Sequence, residues 1–123
     1  MDNSETVRGR RRENESAQVL ARHGYEVEQN PVFPEKDPDF RIEGRIFDNY
    51  SPKRSTRVRS VYTAVKGKLQ SRQTRRVVVN LDDSPLTVEE VVEQFKNWPM
   101  ENLEEVLAVK DGKVHQIFPS PNI

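Results

Sequence analysis

A chain of 123 residues has room for one hydrophobic core, and a composition of 33% hydrophobic and 33% charged residues makes that core a small one. With no cysteine, disulfides, thiolate zinc sites and a cysteine nucleophile are all excluded. No apolar run approaches a membrane span or a signal-peptide core, so a soluble domain with no membrane-spanning segment is expected.

Residues 1–12 are polar and basic, with Arg8, Arg10, Arg11 and Arg12, and are expected to form a tail or linker remnant before a single domain over 13–123. From about Glu13 the pattern turns helical, with Ala17, Leu20 and Ala21 on one stripe and His23-Gly24 as the stop. Tyr25 to Gln29 alternates like a strand, and the proline-rich stretch Val32 to Pro38 is a loop. Asp39 to Ile42 and Arg45 to Asp48 are two short strands around a Glu43-Gly44 turn. A helix from about Thr56 to Arg72 presents Val58, Val61, Tyr62, Val65 and Leu69 on one face. Arg76 to Leu81 is a continuous apolar run, as in a buried central strand. Thr87 and Glu90 form a capping box for a helix to about Asn97. Glu105 to Val109 and Lys113 to Phe118 flank Asp111-Gly112 as a terminal hairpin. The order α-β-β-β-α-β-α-β-β predicts an α/β sandwich: an α-β-β-β-α-β core extended by a helix and a β-hairpin.

The net charge of zero hides a segregation. Between Asp48 and Asp82 there is no acid, against Lys53, Arg54, Arg57, Arg59, Lys66, Lys68, Arg72, Arg75 and Arg76. From Asp82 to Glu105 eight acids face the single base Lys96. A run of bases on a helix is often only a solvated face, but so unbalanced a run repels itself and points to a polyanionic partner.

A two-residue turn at Glu43-Gly44 fixes the hairpin register: Ile42 opposite Arg45, Arg41 opposite Ile46, Phe40 opposite Phe47, and Asp39 opposite Asp48. Directly opposed side chains share a face with Cβ atoms about 4.5–5.5 Å apart. Two carboxylates so placed oppose folding unless compensated, and a divalent cation, Mg²⁺ above all, is the economical compensation. The alternative is that both acids sit at strand ends in solvent. A third carboxylate comes from the first helix, where about 100° per residue puts Glu13 on the side of Ala17 and Leu20 and turns Glu15 away. A lysine able to reach a scissile phosphate is Lys66 or Lys68, which flank the apolar stripe of the second helix. His23 and His115 are expected to be structural or exposed, not catalytic, and Trp98 a core or interface anchor. Tyr50 is placed either to touch substrate or to pack.

A carboxylate pair, a helix carboxylate and a lysine on an α-β-β-β-α-β core resemble the PD-(D/E)XK nuclease superfamily. Pro38-Asp39 would be its "PD" and Asp48 its second acid, although Asp48-Asn49-Tyr50 lacks the lysine two residues on. A closer resemblance runs from about Arg12 to Ser84. It is carried by Glu13-Asn-Glu-Ser-Ala17, Gly24-Tyr-Glu-Val-Glu-Gln-Asn-Pro31, Pro38-Asp-Phe-Arg-Ile-Glu-Gly44, Phe47-Asp-Asn-Tyr-Ser-Pro52 and Gln73-Thr-Arg-Arg-Val-Val-Val-Asn-Leu-Asp-Asp83. Together these phrases are similar to the C-terminal tRNase domain of CdiA-type contact-dependent growth-inhibition toxins. The resemblance implies a toxin module, part of a larger secreted or surface-delivered protein, that cleaves tRNA in the cytoplasm of a neighbouring bacterium and is neutralised by a cognate immunity protein. It also implies Lys68, five residues before Gln73, as the motif lysine in preference to Lys66.

The expectation is a metal-dependent endoribonuclease. Asp39 and Asp48 bind the metal, Glu13 and Lys68 complete the catalytic group, and Lys53, Arg54, Arg57, Arg59, Arg72, Arg75 and Arg76, with the Arg8–Arg12 run, hold RNA. Its rivals are a metal-independent ribonuclease of the barnase, EndoU, colicin or RelE type and a non-catalytic nucleic-acid-binding module.

Overall fold

The computed structural model describes residues 4–71 and 74–121. Its elements are α1 (Ser4–Arg22), β1 (Val27–Gln29), β2 (Phe40–Ile42), β3 (Arg45–Tyr50), α2 (Val58–Gln70), β4 (Arg76–Asn80), α3 (Val88–Asn97), β5 (Glu105–Lys110) and β6 (Lys113–Phe118), in the order the sequence pattern predicts. The six strands form one sheet in chain order, with β3–β4 and β4–β5 parallel and the remaining pairs antiparallel.

Strand alternation gives the sheet two apolar faces. Phe40, Ile42, Phe47, Val78, Leu107 and Val109 pack against Ala17, Val19 and Leu20 of α1. On the other face Val77, Val79, Val106 and Ala108 meet Val61 and Val65 of α2 and Val91 and Phe95 of α3. The valines of β4 thus supply both layers, which is why that strand reads as uninterrupted apolar sequence.

Helix α1 departs from expectation at its start. It begins at Ser4, so residues 4–12 are helical and the helix starts well ahead of the expected Glu13. Its buried residues are confined to Ser16, Ala17, Val19 and Leu20, so the first half has no apolar stripe to betray it. Arg8 and Arg12, one turn apart on one face, are instead anchored to Asp83. Its end follows the pattern: Gly24 at φ +90°, with Tyr25 N–H on Leu20 O and Gly24 N–H on Ala21 O, closes a Schellman motif.

The capping box of α3 is present, with Thr87 Oγ1 accepting from Glu90 N–H at 3.1 Å and Glu90 Oε1 from Thr87 N–H at 3.0 Å. Thr87→Ala is therefore expected to cost about 1 kcal/mol of stability, read as a lower denaturation midpoint with an unchanged slope. Trp98, expected as a core or interface anchor, is not in the core: at the end of α3 it is 65% exposed. Among the described residues no helix is long and apolar enough to cross a membrane.

Candidate active site

The β2–β3 turn has Glu43 at φ +51° and Gly44 at φ +79°, the pair of left-handed conformations that a two-residue type I′ turn requires. The ladder above it runs Ile42 with Arg45, Arg41 with Ile46 and Phe40 with Phe47. One step further the backbone pairing gives way to carboxylates. Asp48 Oδ1 accepts from Asp39 N–H at 3.3 Å, and Asp39 Oδ2 accepts from Asn49 N–H at 2.7 Å. Each acid is thereby fixed by the main chain of the facing strand, as a loose pair of solvated strand-end acids would not be. Asp48 is buried, at 1% exposure, and Asp39 is partly buried.

Two helices reach this point from opposite faces. From α2, Lys68 places Nζ 3.8 Å from Asp48 Oδ2. From α1, Glu13 lies against Asp39 and within the field of Asp48. Burial first, then the charge of Asp39 and a hydrogen bond shared with it, push the Glu13 carboxyl up to about 7, while Arg10 opposes the rise. Asp39 is raised too, chiefly by burial. The Asn49 amide and Lys68 pull it back, and Asp48 adds to the rise. Near pH 7 the Glu13 carboxyl is therefore close to its titration midpoint, its proton held more tightly than that of an ordinary glutamic acid.

The folded chain holds the Glu13 proton more tightly than the unfolded one, so stability falls as pH rises from about 4.5 towards 7. Glu13→Gln is expected to be more stable than the parent at pH 8, by on the order of 1 kcal/mol after solvent screening. The difference should vanish near pH 4, as parallel thermal melts would show.

Of the alternates, Glu15 is bound elsewhere: its Oε2 accepts from Arg12 at 2.7 Å, and a hydrogen bond with Asp82, with burial next, raises its carboxyl. Lys66 is exposed and lines a cleft with Tyr62 and Leu69, away from the carboxylates. Asn49 is a site residue that sequence reasoning missed. Besides holding Asp39, its Oδ1 accepts from buried Ser16 at 3.0 Å and its Nδ2 donates to Ser51 at 2.9 Å. Its position after Asp48 on an alternating strand, facing α1, was the available signal.

Beside the cluster lies a cleft of about 520 Å³ whose lining includes Glu13, Asn49, Tyr50, Lys53 and Thr56. Tyr50 is half-buried, packs against the α2–α3 core and has its phenol raised by burial. His23 is exposed, and its Nε2 sits 2.9 Å from Gly112 O, joining the end of α1 to the terminal hairpin.

The predicted RNA-binding set divides. Lys53, Arg54, Arg57 and Arg59 are exposed around the start of α2, with Lys53 3.5 Å from Glu5. Arg75 is 64% exposed and 3.6 Å from Glu104. Arg76 is ion-paired: its guanidinium is held between Glu104 at 2.6 Å and Glu105 at 3.3 Å and is 20% exposed. Arg8 and Arg12 are paired in the same way with Asp83. The acids that follow in sequence fold back onto these bases, which charge counting along the chain does not register. Arg72 lies outside the described residues.

Asp39 and Asp48, with Glu13 in their field, offer oxygen donors of the kind a hard divalent cation takes, with Lys68 as a nearby compensating charge. Among the described residues no three His, Asp or Glu side chains close a metal cage.

Residues 36–114 match the family described as contact-dependent growth inhibition CdiA C-terminal domain. The chain is 40% identical over 119 residues to a protein named tRNA nuclease CdiA-2 from Burkholderia pseudomallei (strain 1026b), covering 95% of this chain and 4% of that relative. Among solved structures it is similar to a CdiA-CT/CdiI toxin and immunity complex from Burkholderia pseudomallei. The identity is 37% and the TM-score 0.88, over 97% of this chain and 91% of that one. With the family match spanning β2 to the terminal hairpin, the chain belongs to the contact-dependent growth inhibition CdiA C-terminal domain family.

Proposed function

We propose that the chain is a metal-dependent endoribonuclease that cleaves tRNA, with Glu13, Asp39, Asp48 and Lys68 as its catalytic group. The observation that carries this reading is the convergence of three carboxylates and one lysine, from both faces of the sheet, on the end of the β2–β3 hairpin. The substrate follows from the likeness to a relative named as a tRNA nuclease.

Asp39 and Asp48 would hold the ion, Mg²⁺ by the hardness of the ligands, and when bound it supplies a Lewis acid for the phosphoryl oxygen and an activated water. Glu13 holds or accepts a proton at its carboxyl near neutral pH, the range a general acid–base needs. Lys68 Nζ, beside Asp48, offsets charge that develops on the phosphate. Lys53, Arg54, Arg57 and Arg59 hold the RNA backbone, with Arg75 as a further exposed contact.

In this reading the domain is the toxic end of a larger protein delivered to neighbouring bacteria, acts in the target cytoplasm and is neutralised by a cognate immunity protein. The likeness to a toxin and immunity complex supports that partner. Incubating the chain with total tRNA and with plasmid DNA, and determining the product ends, tests the reaction. Cleavage of tRNA alone, without a 2′,3′-cyclic phosphate, is expected. A cyclic phosphate would mark a metal-independent ribonuclease of the rival type, and RNA binding without turnover a non-catalytic module.

A further inference from the structure

The charged first half of α1 has to be held against the sheet without apolar contacts, since its buried residues begin only at Ser16. Asp83, in the loop between β4 and α3, supplies the grip. Its carboxylate accepts from Arg12 through Nε at 3.0 Å and Nη2 at 2.6 Å, a two-pronged contact, and from Arg8 Nη1 at 2.8 Å. Arg8 Nη2 also donates to Ser51 O at 2.7 Å, and Asn80 Nδ2 donates to Arg12 O at 3.2 Å. Side chain and backbone of Arg12 are thus both fixed, and the next residue in the helix is Glu13.

We propose that Asp83 is a positioning residue of the carboxylate cluster: by gripping Arg12 and Arg8 it holds the first half of α1 against the sheet and so delivers Glu13 to Asp39. This rests on the reading of Glu13 as a member of the catalytic group. A first half that frayed or bent away from the sheet would carry Glu13 away from Asp39 while leaving the apolar contacts of Ala17, Val19 and Leu20 in place. Asp83 touches neither Asp39 nor Asp48 in any described contact, so its influence has to pass through the helix.

The test is a double-mutant cycle between Asp83→Asn and Glu13→Gln, read by single-turnover cleavage of total tRNA in Mg²⁺. It is accompanied by tRNA binding in EDTA, thermal melts and amide exchange of the metal-free protein. Asp83→Asn is expected to lower kcat by about ten- to a hundredfold, with KM and tRNA affinity within about twofold. Amide exchange should rise in residues 10–16 and stay unchanged in α2. In the Glu13→Gln background the same change is expected to cost nothing further, and Asp83→Glu should recover most of the rate.

Losses that multiply in the double variant, or a folded Asp83→Asn protein with the parental kcat, would overturn the proposal. If Asp83→Asn does not fold, Arg12→Lys, which leaves the Arg8–Asp83 pair intact, carries the same cycle with the same expectation. A Glu13→Gln protein of parental activity would sink the catalytic reading itself. Sensitivity to Glu13→Gln without sensitivity at Asp83 would sink only the positioning role.

Discussion

Replacing Asp48 by asparagine is expected to slow tRNA cleavage by at least about a thousandfold while leaving the fold intact. Asp48 is the most enclosed of the three acids, at 1% exposure, and contacts two partners that define the site: the Asp39 backbone amide and the Lys68 ammonium. An asparagine oxygen can still accept from the Asp39 amide, so the junction of β2 and β3 survives. What disappears is the anionic ligand and the repulsion between Asp48 and its neighbours Asp39 and Glu13. Removing a like charge from a partly buried cluster relieves the folded state, so the melting temperature should hold steady or rise. Asp39→Asn is expected to behave in the same way, because Asp39 depends equally on a backbone amide, that of Asn49. Rates for both variants against a tRNA pool, set beside their melting curves, separate a chemical loss from a folding one. A folded Asp48→Asn protein of near-parental rate would remove the carboxylate pair from the chemistry.

Lys68→Met is expected to cost about a hundredfold in kcat with a much smaller change in KM. Methionine keeps the length and apolar stem of the side chain and deletes only the charge, so packing along α2 is preserved. The ammonium lies 3.8 Å from Asp48 and also lowers the Asp39 carboxyl. Its removal should therefore raise Asp39 further and move the acidic limb of the activity profile to higher pH. Lys66→Met is the internal control: Lys66 is exposed and lines a different cleft, so its loss should leave kcat unchanged. A greater loss at Lys66 than at Lys68 would reverse the assignment.

The architecture was legible wherever burial imposes a period. The capping box of α3, the glycine turn at Gly44 and the apolar run of β4 each announce their element because the controlling physics is local. The hairpin register followed from turn length alone, and with it the meeting of Asp39 and Asp48. Helical phase pointed to Glu13 over Glu15 because the stripe begun by Ala17 and Leu20 extends back to it. The same reasoning left Lys66 and Lys68 open, since both flank the α2 stripe and only the approach of the helix to β3 distinguishes them.

What the sequence concealed depends on long-range charge pairing. Nothing near Arg8 and Arg12 indicates that Asp83, more than seventy residues away, completes their helix turn. Without that knowledge, a charged stretch with no apolar period reads as a tail. The same long-range pairing brings Glu104 and Glu105 back to Arg76 through β4–β5. What remains for a polyanion is concentrated before and along the start of α2, at Lys53, Arg54, Arg57 and Arg59, close to the cleft that Glu13 lines.

As proposed, the hairpin carboxylates act through a bound divalent cation. The most direct measurement is cleavage of a tRNA pool by metal-stripped protein in excess EDTA, followed by titration with Mg²⁺. No cleavage in EDTA, recovery on adding Mg²⁺, and no recovery in Asp48→Asn is the predicted result. Full activity in EDTA would contradict it.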